Sequence, residues 1–151
     1  MIVRFKKLSR LAKAPERANP DDAGWDLRAI GFTRNPENPG VLIYKTGIGV
    51  EIPKGHVGIL KERSSLRNKP MSLIGGVIDC GYTGEIQVSF HVFADASHDI
   101  YEAGDKICQL VIAPIAQVDC MEQVDDFSET ERGLKGFGSS DLAPILEAQG
   151  E

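Results

Sequence analysis

The stretch "SLIGGVIDCGYTGEIQVSF", residues 72–90, decides how this chain is read. Two apolar, β-leaning runs flank a short centre, "DCGYTG", and the pattern predicts a hairpin between two buried strands. On the second arm Ile86, Val88, Phe90 and Val92 face one way, while Glu85, Gln87, Ser89 and His91 face the other. That period of two marks a strand with one face in a core. The tip carries an acid, Asp79, and an aromatic, Tyr82, which a plain turn does not require.

The same alternation recurs on both sides. In "YKTGIGVEIP" Tyr44, Thr46, Ile48, Val50 and Ile52 share a face, with Lys45, Gly47, Gly49 and Glu51 opposite. "KICQLVIAPI" is apolar on both faces, which predicts a strand covered on both sides. Turn clusters ("RNPENPG", "IPKGH", "YEAGDK") separate the runs at short intervals. This spacing predicts an all-β sandwich or jelly roll. The one helical candidate, "RSSLRNK", is short. With no internal repeat, residues 1–131 read as one β domain. Residues 132–151 read as a flexible arm, because "RGLKGFGSSD" is too glycine-rich for a strand interior.

Composition limits the possible functions. A chain of 151 residues fits one domain and buries roughly 70% of the surface it exposes when unfolded. No apolar run approaches the roughly 20 residues that span a bilayer, and "MIVRFKKLSRLAKAPER" lacks the apolar core of a secretory signal. Cys80, Cys108 and Cys120 are odd in number and fall in no metal-binding spacing, which predicts reduced thiols in a cytosolic protein. A net charge of −5 argues against coating nucleic acid, but leaves room for an anionic small molecule held by a few arginines and amides.

Four further constellations carry chemistry. In "RGLKGFGSS" the glycines free backbone amides to meet an anion, Ser139 and Ser140 add hydroxyls, and Arg132 adds a charge suited to phosphate. Phe137, alone among glycines, is placed to stack on a base; the other reading is a tail without a ligand. In "ERSSLRNK" Arg63, Ser64 and Ser65 open a possible helical turn, readable as an anion site or as a solvated basic turn. In "DDAGWDLRA" Asp26 alternates with Trp25 and Leu27, either as a surface acid or as a holder of a cation. In "GDKICQLVI" Gln109 interrupts an apolar run, and a buried amide there needs partners or points into a site.

Taken in order, "AGWDLRA", "RSSLRNK", "GVIDCGYTGEI", "GDKICQLVI" and "RGLKGFGSS" resemble the five motifs of the trimeric dUTPase family, spanning residues 23–140. The resemblance implies a distorted jelly roll, a homotrimer with sites shared between subunits, and Mg²⁺-dependent hydrolysis of dUTP to dUMP and pyrophosphate. Such an activity keeps uracil out of DNA and supplies dUMP for thymidylate synthesis, here in a bacterial or phage-infected cytosol. It further implies that Asp79 is the general base for the attacking water and that Tyr82 lies against the deoxyribose. The backbone near Leu73, Gly76, Val77 and Ile78 would read uracil. Arg63, Ser64 and Ser65 would hold phosphates, and Asp26 and Gln109 would place the phosphates and a hydrated Mg²⁺. Phe137 would cover the base from a neighbouring subunit, while Arg132, Gly138, Ser139 and Ser140 bind terminal phosphates.

This sequence departs from the family pattern at four places. Glu62 stands where proline is common, Trp25 where tyrosine is usual, Gly81 where an acid is usual, and Asp141 where glycine is common. Two alternatives follow from the same residues. The related dCTP deaminases share the hairpin but rely on a glutamate in the following strand, where this chain has Val88 and Ser89. A dUTPase-like module that binds a regulatory protein without catalysis would not need Asp79.

Overall fold

The computed structural model describes residues 1–93, 99–130 and 133. Its contacts group Met1–Gln117 as one compact unit and Val118–Glu151 as another.

The first unit is all-β. Its strands are β1 (Arg4–Lys7), β2 (Gly24–Arg28), β3 (Gly31–Arg34), β4 (Val41–Lys45), β5 (Ile48–Glu51), β6 (His56–Lys61), β7 (Met71–Ile74), β8 (Val77–Ile78), β9 (Gln87–Val92) and β10 (Lys106–Pro114). They form two four-stranded antiparallel sheets, ordered β2-β10-β6-β8 and β3-β4-β9-β7, with β1 and β5 as a separate pair. The expected helical segment is a single 3₁₀ turn, Ser64–Asn68, pinned by the buried Leu66.

Both sheets contribute to one core, in which Leu27, Ile107 and Cys108 meet Leu42, Tyr44, Val88 and Phe90. Tyr44 packs edge-on against Phe90 and Tyr101, at centroid distances of 5.6 and 6.4 Å. Its buried hydroxyl donates to the Tyr101 carbonyl at 2.9 Å, so burial leaves no phenol proton without a partner. The alternating face Tyr44, Thr46, Ile48, Val50, Ile52 is buried as expected, but not as one strand. Gly47, at φ +66, breaks it, sending β4 and β5 into different sheets. Thr46, fully buried at the break, donates its hydroxyl to the Ile86 carbonyl at 2.7 Å. The apolar run "KICQLVIAPI" is β10, the strand between β2 and β6. A register irregularity between Lys106 and Cys108 accompanies two successive fully buried side chains, Ile107 and Cys108.

The hairpin expected over residues 72–90 takes a different form. β7 does pair antiparallel with β9, Leu73 opposite Phe90. The segment between them, however, does not close as a tip. Gly75 (φ +65) and Gly76 (φ +137) turn the chain across to the other sheet, where β8 pairs with β6. Only glycine enters these conformations without strain. At Gly76 a Cβ would also come within 2.6 Å of the Leu60 Cβ, while the Gly76 carbonyl accepts the Leu60 amide at 2.7 Å.

In the second unit, the described residues 118–130 form neither strand nor helix, and Met121 and Phe127 are 96% and 91% exposed.

Candidate functional site

The geometry starts from the pairing of β2 with β10, which sets Asp26 opposite Gln109. Leu27 turns into the core, whereas Asp26 is enclosed by cations rather than left facing water. Its Oδ1 accepts from Arg63 Nε at 2.8 Å and its Oδ2 meets Lys106 Nζ at 2.9 Å. Lys106 continues to Glu16 at 2.9 Å, and Glu16 to Arg28 at 2.8 Å. Glu16 is held beside Asp26 by reciprocal backbone hydrogen bonds of 2.7 and 3.3 Å. The result is an alternating chain, Arg63–Asp26–Lys106–Glu16–Arg28. Hydrogen bonds to Asp26 first and Glu16 second raise the Lys106 ammonium above its ordinary pKa. Hydrogen bonds from Lys106 and Arg28 lower that of Glu16.

Gln109 has the partner that a half-buried amide needs. Its Nε2 donates to the Glu62 carbonyl at 3.0 Å, and Gly24 gives it room, since a Cβ there would overlap the Gln109 side chain. Glu62 serves through its main chain, so the proline common at this position would offer the same acceptor. The Glu62 side chain is exposed.

Arg63 leads from β6 into the 3₁₀ turn, and its Nη1 lies 3.4 Å from both Ser65 Oγ and the Lys106 carbonyl. A cavity of about 650 Å³ opens here, lined by Arg63, Ser64, Arg67 and Lys69, with Ser72 and Leu73. Lys69 lies 4.9 Å from the Tyr101 ring and pairs with Asp99 at 3.2 Å. With Glu62 as the one acid in the lining, three cations leave the concavity net positive, which suits a polyanion.

Asp79 and Tyr82 line a second depression of about 330 Å³, with Val77, Ile78, Glu85 and Gln87. The Asp79 carbonyl accepts the Tyr82 amide at 3.0 Å, closing the turn. Both side chains are exposed, and among the described residues no hydrogen bond or ion pair engages the Asp79 carboxylate. A general base has to present its carboxylate in this way. Gly81 has open space around a built Cβ and no left-handed φ, so the acid usual there would fit. Trp25 is 39% exposed, with the Arg17 guanidinium 4.5 Å from its ring centroid.

β7 and β8 flank Gly75 and Gly76 but do not pair with each other; each is the outer strand of a different sheet. Each therefore has an edge with backbone donors and acceptors to spare. Leu73, Val77 and Ile78 lie on these edges, and Gly76 joins them.

The cavity at Arg63 does not include Asp79, and the depression at Asp79 does not include Arg63. Arg132, Phe137, Gly138, Ser139, Ser140 and Asp141 lie outside the described residues. Sequence reasoning missed Glu16, Lys106, Tyr101 and Glu85. Lys106 stood in "GDKICQ", where a lysine entering an apolar strand signals a paired charge. Glu16 and Glu85 carried no local signal, because the partners of their carboxylates are distant in the chain.

Residues 10–141 match the family model for dUTPase. The deoxyuridine 5'-triphosphate nucleotidohydrolase of Gloeothece citriformis is 37% identical over 145 residues, covering 94% of this chain and 98% of that protein. The dUTPase of Staphylococcus bacteriophage 80alpha with dUPNHPP superposes at a TM-score of 0.77 with 32% identity, over 92% of this chain and 98% of that one. A mutant dUTPase from phage phi11 of S. aureus, whose structure concerns a structural Mg(II) ion, gives 0.70 and 28%, over 85% and 100%.

Proposed function

This chain belongs to the dUTPase family, and from that membership we propose that it hydrolyses dUTP to dUMP and pyrophosphate. The observation that carries the reading is the exposed Asp79 carboxylate, unengaged among the described residues, beside Tyr82 and next to β8, the outer strand of its sheet.

The free edges of β7 and β8 meet the uracil as a pairing partner would. A site whose polar groups match uracil leaves them unmatched against cytosine, which discriminates by roughly 10⁴ or more. The Tyr82 ring packs against the deoxyribose, where a 2′-hydroxyl would collide. Asp79 accepts a proton from water as the water oxygen bonds to the α-phosphorus. The bond from that phosphorus to the α,β-bridging oxygen breaks, and its electrons leave with pyrophosphate.

Arg63 holds the phosphate chain with Ser64 and Ser65, aimed by Asp26. Among the described residues no cluster of three or more His, Cys, Asp or Glu could cage a metal ion. Both Asp26 oxygens already face cations. Asp26, through its remaining acceptor capacity, and Gln109 would hold a hydrated Mg²⁺ carried in on the triphosphate, through water rather than directly. Bound there, the ion would offset the charge of the phosphate chain. Arg63 and Asp79 line separate concavities in one chain, which fits sites completed between subunits of a homotrimer. Residues 132–140 of a neighbour would close over the base and terminal phosphates and exclude bulk water.

Deamination is a poor fit. Of the pair Val88 and Ser89 that matches the deaminase motif, Ser89, where the acid would lie, sits opposite Ile43 and carries no carboxylate. The test is pyrophosphate release across the deoxynucleoside triphosphates: dUTP alone should turn over, and dCTP should yield no ammonia. Asp79→Asn should bind dUTP about as tightly as the parent and lose on the order of 10³-fold or more in turnover. Retained turnover would remove Asp79 as the base.

A further inference from the structure

Between Tyr82 and β9 the chain is tied to the break between β4 and β5, which runs beside it, through a residue that the proposed reaction does not use. Glu85 Oε1 accepts the Gly47 amide at 2.7 Å, and the Glu85 carbonyl accepts the Tyr82 hydroxyl at 2.8 Å. The Gly47 amide is itself set rigidly. Its residue takes φ +66, and a Cβ there would meet Ala12 and Ser9 at 2.9 and 3.0 Å. The Gly47 carbonyl is fixed by the Leu8 amide at 2.7 Å. Glu85 is thus fastened at both ends, to the break between β4 and β5 and to the tyrosine.

Packing closes the remaining freedom. A Cβ on Gly84 would come within 2.7 Å of the Tyr82 hydroxyl, and one on Gly49 within 2.8 Å of the Thr83 carbonyl. The Ile86 amide reaches the Ile48 carbonyl at 2.8 Å. The phenol proton of Tyr82 is therefore already committed to Glu85, so this side chain meets a ligand through its ring and not as a donor.

We propose that Glu85 is the positioning residue that sets Tyr82 as a fixed wall, and that this tether governs selection of deoxyribose over ribose. The proposal rests on the assignment of Tyr82 to the sugar given above. Steric rejection of one hydroxyl needs a wall that does not yield, because a ring free to turn aside admits the larger sugar at little cost. A carboxylate accepting a backbone amide is among the stronger ties available to a loop.

The experiment compares kcat/KM for dUTP and UTP in Tyr82→Ala, Tyr82→Phe, Glu85→Ala and Glu85→Gln. Glu85→Ala should lower the dUTP preference about tenfold. Tyr82→Phe, which cuts the same tether without altering the ring or the Gly47 contact, should do likewise. Glu85→Gln, whose amide oxygen can still accept from Gly47, should restore most of the preference. The double variant Glu85→Ala/Tyr82→Phe should be no worse than either alone, the non-additivity of a shared interaction. An unchanged preference in Tyr82→Phe overturns the proposal even if Glu85→Ala fails to fold. An unchanged preference in Tyr82→Ala refutes the sugar assignment itself. A collapse in Tyr82→Ala alone, with both tether variants unaffected, spares the assignment and sinks the tether.

Discussion

Asp26 and Asp79 show how two carboxylates of one chain come to different tasks. Asp26 sits between Arg63 and Lys106 at 2.8 and 2.9 Å, and its charge serves to aim a guanidinium. Asp79 stands at an exposed turn with its carboxylate unengaged by the described residues. Both are acids in short polar stretches, and nothing local in the sequence separates them; the neighbours do. The cysteines divide in the same way. Burial pushes the Cys108 thiol up to about 12, whereas Cys80 and Cys120 are exposed. Since the thiolate is the reactive form, a group whose folded pKa is raised stays protonated at pH 8. Mass spectrometry after iodoacetamide treatment of the native protein should find two rapid modifications, at Cys80 and Cys120. Cys108 should react only on unfolding, and rapid labelling there would contradict the packing around β10.

At the scale of elements, the alternating pattern of β9 was legible, because one face of the strand is buried and period two follows directly. The breaks were less so. Thr46 and Gly47 split one continuous pattern between two sheets, and the pattern persists because both halves face the same core. The crossing at Gly75 and Gly76 was also hidden, since flanking apolar runs look alike whether they pair with each other or with third strands. These glycines allow a graded test. Gly75→Ala meets no atom within 4 Å and bears only the left-handed φ, so it should cost about 1 kcal/mol. Gly76→Ala adds a collision with the Leu60 side chain and should cost about 3 kcal/mol in urea unfolding. Equal losses would mean that the β7–β8 crossing yields more readily than its packing indicates.

For the molecule as a whole, single-chain reasoning located each half of the site but not their meeting. The cavity at Arg63 and the depression at Asp79 are separate concavities in one chain. The proposed completion therefore depends on copies. Light scattering should give three times the monomer mass, and truncation after Glu131 should leave that mass intact while turnover falls by roughly 10²-fold or more. A monomer with full activity would refute sharing.

The open edges of β7 and β8 have one more consequence. Unpaired strand edges invite addition of foreign strands and so promote aggregation. Here the exposed rows are four and two residues long, and the kinked glycine pair between them prevents a longer ladder. A row this short has too few rungs to hold a passing peptide. The feature proposed to read a base thereby also protects the chain from its own kind.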